Sequence, residues 1–242
     1  MFKPPGSRVF GHTWLLAGLA LTSAWAETVN FTDNFSPPSP LWNNHTGDWT
    51  ASGGDYYATV PNNGPFALTS LPFNLSSETL TVTVNSLGDS GILARTNATD
   101  SQYVLLILGG LGYGAGFRGG TSGTAIYWAD SNNPNATYNE VTGVFTPGDT
   151  YTITVTAVGD TFSAYIDGAS TPVTSITDAA AGSAGGVGLY DDQPNTAEGG
   201  SGTPTTYSNF SVEGTAVPEP GGTGLLLGTL VLAMAWRSVR RR

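Results

Sequence analysis

Carboxylates and aromatic rings are the side chains of this chain best suited to bind or react. Asp191 and Asp192 stand side by side after the strand-like Gly188-Leu189-Tyr190, and paired oxygen donors of this kind suit calcium, as do Asp89 and Asp178. Adjacent acids in a Gly/Asn-rich stretch also serve as plain solvated charge, so no cofactor is required and calcium is the one candidate. Trp128 and Tyr190 fall at strand ends, where a ring face can stack on the C–H face of a sugar. Trp42, Tyr113 and Tyr127 belong to the same class, with core packing as their simpler role. Catalysis is poorly supplied. Retaining glycoside hydrolysis needs two carboxylates about 5 Å apart, and the recognisable strands carry Thr, Ser and aliphatic residues instead. After residue 26 the sole histidine is His45, in the turn-like Asn43-Asn44-His45-Thr46-Gly47, and no Ser/His/Asp set can be assembled around it. Cysteine is absent, which excludes thiol catalysis and thiolate metal sites. The glycine-rich run from Gly109 to Gly120 lacks the Gly-Lys-Ser/Thr ending of a phosphate loop and reads as turns.

These residues hang on short alternating segments separated by Gly, Asn, Asp and Pro, with no helical period, so the sequence predicts an all-β domain. Thr79 to Val84 and Tyr151 to Val158 each alternate an apolar and a hydroxyl-bearing face. Gly159-Asp160 turns the second of these into Thr161 to Ile166, and Asp167-Gly168 turns the chain again, as in a meander of hairpins. Tyr103 to Leu108 is continuously apolar and predicts a central strand covered on both faces. Asp130 to Asn139 and Asp191 to Pro204 read as loops. The threonine ladders Thr79/Thr81/Thr83 and Thr150/Thr152/Thr154/Thr156 have the spacing of ice-binding sheets, but only two strands carry them, and threonine is an ordinary outward residue of a strand. Seven N-x-[S/T] tripeptides, at Asn30, Asn34, Asn44, Asn74, Asn97, Asn135 and Asn209, reflect a surface rich in Asn, Thr and Ser.

Charge is lopsided. Between residues 27 and 216, 17 acidic residues face only Arg95 and Arg118, a net of −15, and lysine is missing from that stretch. Such a field repels nucleic acid and anionic lipid. Both ends of the chain differ from its middle. Lys3 and Arg8 precede an apolar stretch from Trp14 to Leu21 and the small-residue pattern Ala24-Trp25-Ala26, which predicts a secretory signal over residues 1–26 with the mature chain starting at Glu27. At the other end Val217-Pro218-Glu219-Pro220 leads into an apolar run from Gly221 to Trp236 and then Arg237, Arg240, Arg241 and Arg242. The 16 residues of that run span about 24 Å as a helix, short of the about 20 residues usual for a permanent anchor. The arginines hold its end on the cytoplasmic side.

That tail resembles the PEP-CTERM sorting signal of bacterial surface and matrix proteins, from Val217 to Arg242, with every part in order. The resemblance implies recognition of Pro218-Glu219-Pro220 by a membrane-embedded exosortase, transient single-pass residence in the inner membrane through the C-terminal helix, and delivery to the cell surface or extracellular matrix.

A second resemblance spans about Phe31 to Gly214. Gly91-Ile92-Leu93-Ala94-Arg95, Tyr103 to Ile107, Gly148 to Val155, Ala164 to Gly168, Gly185 to Tyr190 and Tyr207 to Val212 follow one another in the order of a concanavalin A-like or laminin G-like jelly roll, with Trp42, Trp49 and Gly53-Gly54-Asp55-Tyr56 resembling its opening strands. It implies an antiparallel β-sandwich over residues 27–214, between a signal helix and a sorting tail over residues 215–242. The function it implies is non-catalytic binding, with polysaccharide as partner, beside the exosortase and secretion machinery. Hydrolases of this fold place carboxylates as E-x-D-x-x-E on one strand, and that motif is missing here. A polysaccharide-acting hydrolase and a purely structural matrix glycoprotein are the alternatives.

Overall fold

The computed structural model describes residues 26–59, 67–109, 124–192 and 204–217. The predicted signal and membrane helices, Pro218 to Pro220 and the four terminal arginines lie outside these residues, as do Tyr113 and Arg118. No helix among the described residues is long and apolar enough to cross a membrane.

Among the described residues all regular structure is antiparallel β: β1 (Glu27–Asp33), β2 (Trp49–Ser52), β3 (Asp55–Ala58), β4 (Ala67–Asn85), β5 (Ser90–Thr96), β6 (Val104–Leu108), β7 (Ile126–Asp130), β8 (Asn133–Val141), β9 (Tyr151–Val158), β10 (Thr161–Ile166), β11 (Thr174–Thr177), β12 (Gly185–Asp191) and β13 (Thr206–Ala216). The strand β4 is 19 residues long and joins the two layers. Its first half pairs with β12, and the front layer continues through β5, β6 and β7 to β8. Its second half lies between β13 and β9, and the back layer runs β1-β13-β4-β9-β10-β11. The layers face each other, with Trp128 of β7 6.2 Å from Phe162 of β10.

Alternation decides which side chains fill that interface. Leu80, Val82 and Val84 of β4 and Ile153, Val155 and Ala157 of β9 point inward and are buried, while the threonines between them face out. The front layer is apolar on both faces. Ile92, Leu106 and Trp128 join the main core, and Leu93, Leu105, Ile107 and Tyr127 form a second buried cluster on the opposite side. That explains the unbroken apolar run of β6, as the sequence predicts. The Gly53-Gly54 turn between β2 and β3 uses two left-handed glycines (φ 67° and 89°), as a two-residue hairpin of type I′ demands.

Where β5 meets β12 the register shifts by one residue, and Arg95 is the residue left over. It takes a left-handed backbone (φ 55°), and its side chain runs into the interior. There Nη1 donates to Glu78 Oε2 at 2.5 Å and to the Leu75 carbonyl, and Nη2 donates to the Ser76 carbonyl at 2.7 Å. Leu75 and Ser76 lie where β4 passes from one layer to the other. A buried arginine therefore ties down the bend that makes a sandwich out of one continuous sheet. Gly185 leaves it room, since a Cβ there would stand 2.7 Å from the Arg95 Cα.

Two sequence expectations change. Residues 133–141, read mostly as loop, form β8: Asp130 Oδ1 accepts the Asn132 N–H at 2.6 Å and turns the chain back onto β7. Pairing with a neighbour thus overrides poor intrinsic propensity. The last strand also runs two residues beyond the expected boundary at Gly214, because Thr215 and Ala216 pair with both β1 and β4.

Candidate functional site

Trp128 and Tyr190, the sequence's candidates for stacking on sugar, have no exposed surface. Trp128 points between the layers, and Tyr190 lies in the second cluster among Leu68, Leu93 and Tyr127. A ring without an accessible face cannot meet a ligand, so both are core residues and the stacking expectation is corrected. Trp42 is also buried, its Nε1 donating to Asp33 Oδ2 at 2.9 Å. His45 is exposed in its loop, as expected.

Asp191 ends β12 and Asp192 follows it, both buried rather than solvated. The Asp192 N–H donates to the Asp89 carbonyl at 2.9 Å, and Ser90 pairs with Asp191, so these acids share the end of the front layer. Tyr207 donates its hydroxyl to the Tyr190 carbonyl beside them. Burial above all, with the charges of Asp191 and Asp89, pushes that phenol well above its ordinary range. Among the described residues no three Asp, Glu or His side chains are grouped to hold a metal ion.

The threonine ladders prove to be neighbours, with Thr79, Thr81 and Thr83 opposite Thr156, Thr154 and Thr152. Thr81 and Thr154 bond hydroxyl to hydroxyl at 2.9 Å, so part of the array is spent on itself.

A different place collects exposed polar groups around an aromatic floor. A depression of about 590 Å³ lies between the turn after β1 and the middle of β13, lined by Phe31, Asp33, Asn34, Pro37, Asn209 and Ser211 among others. Local chemistry builds each wall. Asp33 accepts the Phe35 N–H and the Ser39 N–H, both at 2.7 Å, besides the Trp42 indole, and so holds the turn. Phe35 is thereby fixed in a left-handed conformation (φ 56°) with its ring stacked on Tyr56 at 4.8 Å. Across the depression the pairing of β13 with β4 slips between Ser208 and Ser211, and Asn209 at φ 51° turns its amide to solvent. A bulky residue such as Phe35 held at positive φ is a backbone outlier of the kind that clusters at ligand sites.

The sequence carried an unused signal for this place. Asn30-Phe31-Thr32, Asn34-Phe35-Ser36 and Asn209-Phe210-Ser211 are three copies of one tripeptide pattern, and all three contribute lining residues or their immediate neighbours. Phe35 and Phe210 go inward, while Asn34 and Asn209 stay exposed at the rim. Amides, hydroxyls and a half-buried phenyl ring, with one carboxylate already committed to the turn, can hydrogen-bond and pack against an uncharged, hydroxyl-rich molecule.

Comparison with solved structures places this architecture. The domain has a lectin-like antiparallel β-sandwich fold. The carbohydrate-binding module CBM66 from Bacillus subtilis superposes with a TM-score of 0.50 at 13% identity, covering 73% of this chain and 93% of that one. A Bacillus subtilis protein of unknown function with a galectin-like fold gives 0.54 at 10% identity, over 78% and 96%. Lectin UEA-II, complexed with galactose, gives 0.52 at 10% identity, over 78% and 99%. At such identities the likeness concerns the fold alone. No protein-family profile matches the sequence, and no curated protein matches it.

Proposed function

We propose that the chain is an exported protein of the bacterial surface or extracellular matrix whose sandwich binds carbohydrate without catalysis. The depression beside β1 and β13 carries this reading, because it combines outward amides, hydroxyls and the Phe31 ring with a carboxylate already engaged by the turn. CBM66 is by name a carbohydrate-binding module and UEA-II was captured with galactose, which makes a neutral saccharide the first ligand to try.

Export and sorting rest on the two ends. Glu27, the expected first residue after signal removal, pairs with Ala216, the last strand residue before Val217-Pro218-Glu219-Pro220. Residues 27 and 216, from which a signal and a tail would extend, therefore stand side by side on antiparallel strands. That suits two helices entering the same membrane, the first running outward and the second inward to Arg237, Arg240, Arg241 and Arg242. An exosortase acting near Pro218 to Pro220 would then release or transfer a folded domain. Calcium at Asp191 and Asp192 remains part of this reading as an optional ligand.

The test is a glycan array probed with purified full-length protein in detergent, with calcium and with a chelator, beside the variant Asn209→Gly. Glycine keeps the left-handed backbone and deletes the amide. Binding by the natural chain, weakened at least tenfold by N209G with an unchanged melting temperature, is the expected result. A silent array, or binding indifferent to N209G, overturns this site.

A further inference from the structure

The N-terminal strand is attached to its domain in an unusual way. Among the described residues β1 pairs with β13 alone, through seven consecutive partners from Glu27↔Ala216 to Asp33↔Phe210, with no bulge. It is an edge strand, and only Val29, Phe31 and Asp33 are drawn toward the core. Next comes Ser36-Pro37-Pro38-Ser39-Pro40, three prolines in five residues, half-buried to exposed and held largely by side chains: Asn34 Oδ1 accepts the Ser36 N–H at 3.1 Å and Asp33 Oδ2 the Ser39 N–H. Proline favours extended backbone both at its own position and at the one before it. Opened out, those five residues reach about 15 Å as a polyproline II segment. The closed turn meanwhile keeps Phe35 in a left-handed conformation that an L-residue adopts only at an energetic cost.

From these features we infer that β1 is exchanged between two copies of this chain, each donating its N-terminal strand to the β13 edge of the other. The seven pairs, the Phe31 packing and the bond from Trp42 to Asp33 all re-form between copies. What distinguishes the two arrangements is the hinge, and short strained hinges favour exchange. Reciprocal donation closes a symmetric dimer and leaves no β13 edge open. The inference does not depend on carbohydrate binding.

The chain contains no cysteine, so engineered thiols report cleanly. Thr28 and Thr215 are direct partners across β1 and β13, and antiparallel partners stand about 4.5–5.5 Å apart at Cα, within disulfide range. Two full-length chains, one Thr28→Cys and the other Thr215→Cys, are co-expressed in an exporting bacterium, oxidised and run on a non-reducing gel. Exchange predicts a disulfide-linked heterodimer, missing when Thr154→Cys on β9 replaces Thr215→Cys. The double variant T28C/T215C, which can close within one chain, verifies that the pair oxidises. Absence of the heterodimer overturns the proposal. So does an equally abundant homodimer from T28C alone, which would mean two β1 edges lying side by side.

Discussion

Arg95 and Glu78 form an ion pair at 2.5 Å with both side chains shut off from solvent. In a domain carrying 17 acids and two arginines between residues 27 and 216, one of those two cations has been placed in the interior. It lies 5.9 Å over the Phe162 ring and binds the Leu75 and Ser76 carbonyls as well as the carboxylate, so it serves the β4 bend from several sides.

Removing the cation should therefore be costly. Arg95→Met strips the buried Glu78 carboxyl and the Leu75 and Ser76 carbonyls of their donor, and each buried acceptor left unsatisfied costs about 1–3 kcal/mol. Urea unfolding should show that loss, and E78M/R95M should regain part of it by removing the buried carboxyl that has lost its partner. A loss below about 1 kcal/mol for R95M would contradict the role given to the bend.

The pair also sets a pH dependence. Burial outweighs the attraction of Arg95 and raises the Glu78 pKa from 4.5 to about 8. The unfolded chain gives up this proton near 4.5, whereas the folded chain holds it up to about 8. The folded state therefore binds more protons in that window, and stability falls as pH rises through it. Melting temperatures measured from pH 5 to 8 should decline, and Glu78→Gln should flatten the slope.

Gly188 gives a steric prediction. A Cβ there would stand 2.3 Å from the Thr69 carbonyl oxygen of the neighbouring strand. Because backbone cannot yield as a side-chain tip does, Gly188→Ala should destabilise by about 1–3 kcal/mol or more, the usual range for overpacking. Thermal melting of the variant checks this.

Trp128 separates packing from recognition. Truncating a buried tryptophan to alanine costs about 3–5 kcal/mol, so Trp128→Ala should unfold readily whatever it binds. Trp128→Phe, which keeps the core filled, should leave glycan binding as it was. Loss of binding in W128F without loss of stability would return this residue to the site.

The sandwich was largely legible because its outer threonines and inner aliphatics alternate strictly in β4 and β9, and period two needs no long-range knowledge. Trp128 shows where that logic stopped short. Residue type alone suggests a ring for stacking, yet Ile126 and Trp128 share one face of β7 while Tyr127 and Ala129 share the other, and both faces are buried. β8 was missed because its pairing, not its composition, makes it a strand. The depression was hidden for another reason. Its walls come from residues 31–39 and 209–211, opposite ends of the chain joined only by the β1–β13 register, and the shared Asn-Phe-Ser/Thr pattern was the local trace of that meeting.

The pairing of Glu27 with Ala216 has one more consequence. With the first and last strand residues of the described sandwich one strand spacing apart, a short glycine linker could join residue 216 to residue 27. New termini could then be opened at the Asp167-Gly168 turn. Such a circular permutant keeps each strand beside its native neighbours while making β1 continuous with β13, so β1 is no longer a free terminal strand able to leave home.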